Sequence, residues 1–391
     1  MRQQQGELTD MRADFVIIGG GISGAAAAFF LSEAGRVVLI EQESHFGTHS
    51  SGRTAGQFTV GISADTMRAA AAASRSFFQT PPEGFAEGPL VTPRGSLTVA
   101  RQDRFAVLDR LEARIAEAGG RAERLDRAGA LAAFPALRPE TVDEAVLEVD
   151  AADIDVDRLL QGYLRGARRN GALTATGAAV TAIHREGGLW VVDTATGRHE
   201  APVLVNAAGG WADRVAELAG VAPIGLTPYR RTAFTFSLMQ APEGGSIGGD
   251  WPHVTSAEYD WYVKPEAGCF MGSPADAHRV QPGEMYPEDF DVALGIHAIE
   301  RDTTLTIRRP LASWAGMRSF VADRNPVCGM SGAAPGFVWL AGQGGCGVLT
   351  SPALGRAVAA VACNRPLPDD LDAWGLRLAA LSPDRSGLAA G

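Results

Sequence analysis

The stretch DFVIIGGGISGAAAAFFLSEAGRVVLIEQ, Asp14–Gln42, decides the fold. Four apolar residues follow Asp14, glycines turn the chain, an alanine-rich helical run comes next, and a second apolar strand returns at Val37–Ile40. That order is a βαβ unit. Gly19, Gly21 and Gly24 stand at the G-x-G-x-x-G spacing. The first permits a tight turn, the second lets backbone approach a pyrophosphate, and the third lets helix and strand pack closely. The helix start offers amides and the positive end of its dipole to phosphate. Glu41 ends the second strand, where a carboxylate accepts both hydroxyls of an adenosine ribose. The glycine spacing alone would serve equally as a structural turn. Between a strand and a helix, with an acid at that distance, it reads as dinucleotide binding.

Outward from this unit, the chain alternates helical and strand-rich segments. MRAAAAASRSFFQ, residues 104–135 and VDRLLQGYLRGARRNGA read as helices. YRRTAFTFSL, DWYVKPEAGCFMGS and TTLTIRRPLASWAGMRSFVADRNPV read as strands of a second, antiparallel sheet. The last strand, glycine loop and helix lie in GFVWLAGQGGCGVLTSPALGRAVAAVACN. Such interleaving predicts two domains that share the chain discontinuously.

Composition narrows the function classes. A net charge of −10 over 391 residues, without a basic run, argues against nucleic acid or an anionic membrane as partner. No apolar run reaches the length of about 18 residues needed for an integral membrane segment. Residues 1–11 are polar, lack the apolar core of a signal peptide and are expected to form a flexible tail. Cys269, Cys328, Cys346 and Cys363 show no CxxC spacing, which fits a reducing, cytoplasmic setting.

Three further glycine-rich elements separate flavin from nicotinamide: HSSGRTAGQ after the second strand, VNAAGGWA after a later one, and AGQGGCGVLTSP before the last helix. A nicotinamide site needs only the first glycine loop, whereas an isoalloxazine ring must be held at several distant points. Consecutive amides at the last helix suit the electron-rich edge of a flavin or a phosphate. The expected cofactor is FAD.

DFVIIGGGISG, HSSGRTAG, VLVNAAGGWAD, AGMRSFVADRNPVCG and VWLAGQGGCGVLTSPALG, in this order, resemble the D-amino-acid oxidase superfamily of FAD enzymes, which includes glycine and sarcosine oxidases. Within it, ASRSFFQTPPEGF, DIDVDRLLQGYLRGARRN, TTLTIRRP and WAGMRSFVAD are similar to D-arginine dehydrogenases. The resemblance runs from Ala13 to Ser382. It implies an α/β (α+β two-domain) fold. A discontinuous Rossmann-like FAD-binding domain would take residues 12–95, 151–227 and 315–391, and a substrate domain with an antiparallel sheet and helices would take 96–150 and 228–314. It also implies oxidation of an α-amino acid. Hydride passes from Cα to flavin N5, the imino acid hydrolyses to a 2-oxo acid and ammonia, and electrons leave to oxygen, a quinone or a carrier.

The same resemblance assigns site residues. Cofactor contacts fall on Gly19, Gly21, Ser23 and Gly24, and on Glu41 and Gln42. They continue along Ser50, Ser51, Gly52, Arg53, Thr54, Ala55, Gly56 and Gln57, and through Val180, Ala208, Gly209 and Trp211. The last loop adds Gly344, Gly345, Cys346, Gly347, Val348 and Leu349. Arg231 and Arg318 match carboxylate binders, a task for a planar, permanently charged fork. Taken alone, either would read equally as a strand arginine paired with an acid. Tyr262 matches a hydroxyl donor to the same carboxylate, and the Gly345 carbonyl matches an acceptor for the amine.

Departures from D-arginine dehydrogenases bear on the substrate. Gln57 stands where a histidine meets the amine, Ile62 replaces a pocket tyrosine, and Ser96 replaces the glutamate that pairs with the cationic side chain. His253 and Thr255 replace apolar residues. An arginine side chain buried without its acid costs several kcal/mol, so a neutral or polar, non-cationic substrate is expected. His253 is either a satisfied strand histidine or a receptor for an anionic or hydroxylated side chain. No cysteine lies near WAGMRSF to attach flavin covalently, so FAD is expected to be noncovalent. Two other readings stay open: an oxidase of N-alkylated or cyclic amino acids, and an inactive FAD-binding partner protein.

Overall fold

The computed structural model describes residues 11–237 and 249–388. Its first sheet has six strands in the order Leu173–Ala175, Val37–Ile40, Phe15–Ile18, Val203–Asn206, Phe337–Ala341, Val327–Met330. All neighbours are parallel except the last pair. The sequences FVII, VVLI and FVWLA are buried throughout, as parallel strands covered on both faces must be. Helix Ile22–Leu31 packs against Val156–Arg169 and Gly347–Ala362 on one of those faces. Its alanines and Gly24 make that packing close: a Cβ on Gly24 would lie 1.8 Å from the Gly19 carbonyl oxygen. The strand order reverses between Phe15–Ile18 and Val203–Asn206, and ligands bind beyond the carboxyl ends of such a switch point.

Met11–Arg12 form a short strand paired with His199 and Glu200, so Met11 belongs to the fold and not to the expected tail; residues 1–10 lie outside the described residues. Among the described residues no helix is long and apolar enough to cross a membrane.

The second sheet has nine strands, antiparallel except that His253–Ser256 runs parallel to Ser96–Ala100. Strand alternation gives it two faces. Leu97, Val99, Val254, Val263, Phe234, Phe236 and Phe270 enter one apolar core, shared with Val292, Ala298 and Ile299 of helix Asp289–Asp302. The alternate residues Ser96, Thr98, His253, Thr255, Tyr262, Lys264 and Arg231 fall on the other face. Strand Ala312–Phe320 pairs with Thr227–Phe236 along its whole length. The domain division expected at 315 therefore falls inside a strand that lies entirely in the second sheet. Gln57–Phe58, Ala152–Ile154 and Val91–Pro93 form a small sheet of their own.

Candidate active site at the junction of the two sheets

A cavity of about 500 Å³ opens at the switch point, with the glycine turns on one side and the polar face of the second sheet on the other. Gly19, Gly21, Ser23, Glu41 and Gln42 line it. Ser50, Ser51, Arg53, Thr54, Ala55, Val180, Ala208, Gly209 and Trp211 continue the wall, and Gly344, Gly345, Gly347 and Val348 close it. Gly19 holds a left-handed φ of 107°, and a Cβ there would meet the Ala207 carbonyl oxygen at 2.4 Å.

Six expected cofactor residues lie outside the lining. Gly24 and Leu349 are packing residues, the latter 5% exposed. A Cβ on Gly52 would meet the Gly47 carbonyl oxygen at 2.7 Å, and one on Gly56 the Ile154 carbonyl oxygen at 2.9 Å, so both glycines shape the loop from behind. Cys346 precedes helix Gly347–Ala362, with its thiol pushed up to about 11 by burial despite nearby Arg318. Gln57 sits in the small sheet opposite Asp153, its Nε2 buried without a hydrogen-bond partner among the described residues.

The wall is chemically matched to a dinucleotide. Helix Ile22–Leu31 starts at the cavity without an acid in its first turn. Ser51 Oγ accepts the Ile22 N–H at 2.9 Å, so this hydroxyl caps the helix. Glu41 Oε2 accepts the Gly20 N–H at 2.6 Å and Oε1 the Glu43 N–H at 2.9 Å. Burial raises its pKa against those donors. His49 Nδ1 and Gln343 Nε2, both on the wall, are buried without hydrogen-bond partners among the described residues. Sequence reasoning missed these two; their only signal was position inside the glycine-rich loops. Arg53 points away: its guanidinium donates to the carbonyls of Met285 at 2.9 Å and Ala315 at 3.0 Å and pairs with Glu284. The flavin-side loop is thereby stapled to the second sheet.

At the other end, Arg231, Ala233, Tyr262, Gly316, Met317 and Arg318 line the cavity. Adjacent Arg230 is paired with Glu288 and Asp291. Arg231 and Arg318 make no ion pair among the described residues, which removes the reading of strand arginines satisfied by acids. Arg231 Nε donates to the Asp276 carbonyl at 2.5 Å. Nη1 of Arg231 and Nη1 of Arg318 both lie 3.5 Å from the Tyr259 hydroxyl, where they donate to one oxygen. Tyr259 is 48% exposed; what desolvation its hydroxyl suffers opposes ionisation, and the two guanidiniums outweigh it and bring the phenol down to about 8. Tyr259 escaped sequence reasoning: it sits at a left-handed φ of 56° in the turn after His253–Ser256, a geometry no motif marks. A Cβ on Gly345 would lie 3.0 Å from Arg318 Cζ, so glycine there leaves room for the guanidinium.

The expected pocket residues are only partly gathered. Ser96, His253 and Thr255 share the polar face with Tyr262 but lie outside the cavity lining. The His253 ring lies 5.3 Å from that of Tyr262, tilted by 32°. Burial first, and then Lys264, push its pKa down to about 3, so it is neutral and unsuited to bind an anion as a cation. Thr255 Oγ1 is spent on the Trp261 carbonyl at 2.8 Å. Ile62 also lies off the lining and packs against the first core. Lys264, unmarked in the sequence, is buried on the same face between Asp153 at 3.2 Å and Glu266 at 2.8 Å, and Asp153 also holds Arg94 at 2.6 Å.

A switch-point cavity with a ribose carboxylate, free helix-end amides and unsatisfied buried polar atoms fits FAD, which is the cofactor of this FAD-dependent oxidoreductase. The chain belongs to the DAO family of FAD dependent oxidoreductases, whose model matches residues 14–361. It is 25% identical to the mouse (Mus musculus) FAD-dependent oxidoreductase domain-containing protein 1, over 90% of this chain and 81% of that protein. In fold it is similar to glycine oxidase from Geobacillus kaustophilus, with a TM-score of 0.82 and 21% identity over 96% of this chain and 99% of that one. L-proline dehydrogenase from P. horikoshii gives a TM-score of 0.82 and 20% identity over 96% and 98%.

Proposed function

We propose that the protein oxidises a non-cationic α-amino acid at the carbon bearing the amine, giving an imino acid that water hydrolyses to a 2-oxo acid and ammonia. The observation that carries this reading is the pair Arg231 and Arg318, facing the cavity from paired strands with no acid partner among the described residues. FAD, when bound, supplies the acceptor for the hydride removed from that carbon. The two guanidiniums bind the carboxylate by charge-assisted hydrogen bonds, and Tyr262 adds a hydroxyl on the same wall. The Gly345 carbonyl, beside Arg318, receives the amine. Electrons then leave to oxygen, a quinone or a carrier.

Neither Gln57 nor His253 serves as a base. Gln57 cannot take a proton, and His253 is held away from protonation off the wall. The substrate amine loses its proton to solvent, so turnover rises with pH as that amine deprotonates. Beyond the wall, Ser96 stands in place of an acid on the polar face, and Lys264 and Arg94 nearby are both paired with Asp153, which disfavours a cationic side chain. The choice of a D-amino acid rests on the motifs shared with D-arginine dehydrogenases. The four free cysteines fit the cytoplasmic setting read from the sequence.

One observation favours a second reading, oxidation of N-alkylated or cyclic amino acids. Gln57 Nε2 is buried and unsatisfied, and a glutamine donor orients a secondary amine without competing for its proton. Similarity in fold to L-proline dehydrogenase and glycine oxidase accords with it. An inactive partner protein would leave two half-buried cavity arginines without an anionic ligand. The deciding experiment follows bleaching of the visible flavin band without oxygen against D-, L-, N-methyl and cyclic amino acids. Bleaching by neutral D-amino acids supports the first reading. Bleaching by secondary amines alone favours the second, and bleaching by D-arginine above all others overturns the non-cationic assignment.

A further inference from the structure

Strand Thr227–Phe236 loses its edge partner midway. Phe234–Phe236 pair with Phe270–Gly272, and Tyr229–Arg230 pair with His278–Arg279, but between them the loop after Ser273 crosses the edge. Backbone groups left unpaired in a buried place must find other partners. At Thr232, which is wholly buried, side chains provide them. The Thr232 N–H donates to Asp276 Oδ1 at 2.6 Å, and the Thr232 carbonyl accepts from Ser273 Oγ at 2.6 Å. Asp276 Oδ2 also accepts from Thr232 Oγ1 at 3.1 Å. Ser273 Oγ in turn accepts the Ala275 N–H at 3.1 Å, which fixes Ala275 at a left-handed φ of 51°.

This clamp determines where the Asp276 carbonyl sits, and that carbonyl holds Arg231 Nε. A guanidinium with Nε tied has its two terminal nitrogens directed onward, here toward the Tyr259 hydroxyl and the cavity. The Asp276 side chain is 5% exposed and lies 4.0 Å from Arg230. Its carboxylate oxygens, with those of Asp291 and a ring nitrogen of His278, form a group with the spacing of a cation site. Arg230 already supplies the positive charge there, bonded to Asp291 Oδ2 at 2.6 Å, so the acids serve an arginine and not a metal.

We infer that Asp276 is a positioning residue for substrate recognition: by locking its loop onto Thr232 it presents the carbonyl that aims Arg231 at the substrate carboxylate. The inference rests on the carboxylate-binding reading of Arg231 and Arg318 given above. Benzoate, a carboxylate without an amine, separates the two. Its binding to purified holoenzyme is read from the shift of the visible flavin spectrum, together with bound FAD per chain and Tm.

Arg318→Met is the control. If wild-type enzyme binds no benzoate, or binds it equally well with Arg318→Met, the carboxylate reading itself falls. With that control satisfied, Asp276→Ala is expected to weaken benzoate about tenfold by losing buried hydrogen bonds, with FAD content unchanged. Asp276→Asn keeps an acceptor for the Thr232 N–H and is expected to bind within about threefold of wild type. Wild-type affinity in Asp276→Ala overturns the inference, as does an equal loss in Asp276→Asn. Should Asp276→Ala fail to fold, Thr232→Val removes only the contact to Oδ2. A loss of about threefold supports the inference, and unchanged affinity overturns it.

Discussion

Replacing Tyr259 by phenylalanine should abolish a pH dependence that the wild-type carboxylate site must show. The Tyr259 oxygen lies 3.5 Å from one nitrogen of Arg231 and 3.5 Å from one of Arg318. As a neutral phenol it shares those donors and turns its proton toward an incoming carboxylate. As a phenolate it neutralises the arginines and repels that carboxylate. What desolvation it suffers raises its pKa, but the guanidiniums overcome this and lower it from 10.0 to about 8, so the charge appears within the working range of an amine-oxidising enzyme. Above that value the neutral fraction falls tenfold for each pH unit, so Kd for benzoate should rise by about tenfold per unit from pH 8 upward. Below it, Kd should be flat. Cys346, also beside Arg318, is pushed up to about 11 by burial and stays a thiol through this window. Flavin-monitored titrations from about pH 6 to about pH 10 on wild type and Tyr259→Phe provide the test. A flat wild-type profile, or the same slope in Tyr259→Phe, refutes the placement of that phenol between the arginines.

Arg318→Lys keeps the charge but loses the fork, and each charge-assisted hydrogen bond lost costs about 1.5–3 kcal/mol, so kcat/KM should fall by ~10–100-fold in steady-state assay while FAD stays bound. Gly24→Ala puts a methyl 1.8 Å from the Gly19 carbonyl oxygen, although Gly24 does not touch the cavity. The purified protein should be colourless, its FAD content measured by absorbance. Acid precipitation of the wild type should release all flavin to the supernatant, as expected where no cysteine lies near WAGMRSF. Colour retained in the pellet would contradict this.

The dinucleotide half was legible because its signals are local. Gly19, Gly21, Gly24 and Glu41 sit within one βαβ unit, and the backbone that makes each necessary is a few residues away. The substrate half depends on pairings between distant segments. Alternation along DWYVKP places Tyr262 and Lys264 on one face, but nothing local tells that Asp153 is the partner of Lys264. Ser96, His253 and Thr255 were read as pocket residues, yet how far their shared face runs past the cavity wall follows only from the order of strands. The boundary read at 315 falls inside strand Ala312–Phe320 for the same reason: that strand is held by Thr227–Phe236, more than seventy residues earlier. Arg230 and Arg231 look alike in YRRTAF, and only the folded helix Asp289–Asp302 shows which one is neutralised.

The two-faced second sheet sets how this enzyme can change. Ser96, Thr98, His253 and Thr255 alternate with Leu97, Val99 and Val254, which carry the apolar core. Arg231 and Arg318 stand on another part of the sheet, on the paired strands Thr227–Phe236 and Ala312–Phe320. Substitution at every second residue of Ser96–Ala100 and His253–Ser256 therefore changes the polar face next to the cavity while leaving Arg231, Arg318 and the hydrophobic interior in place.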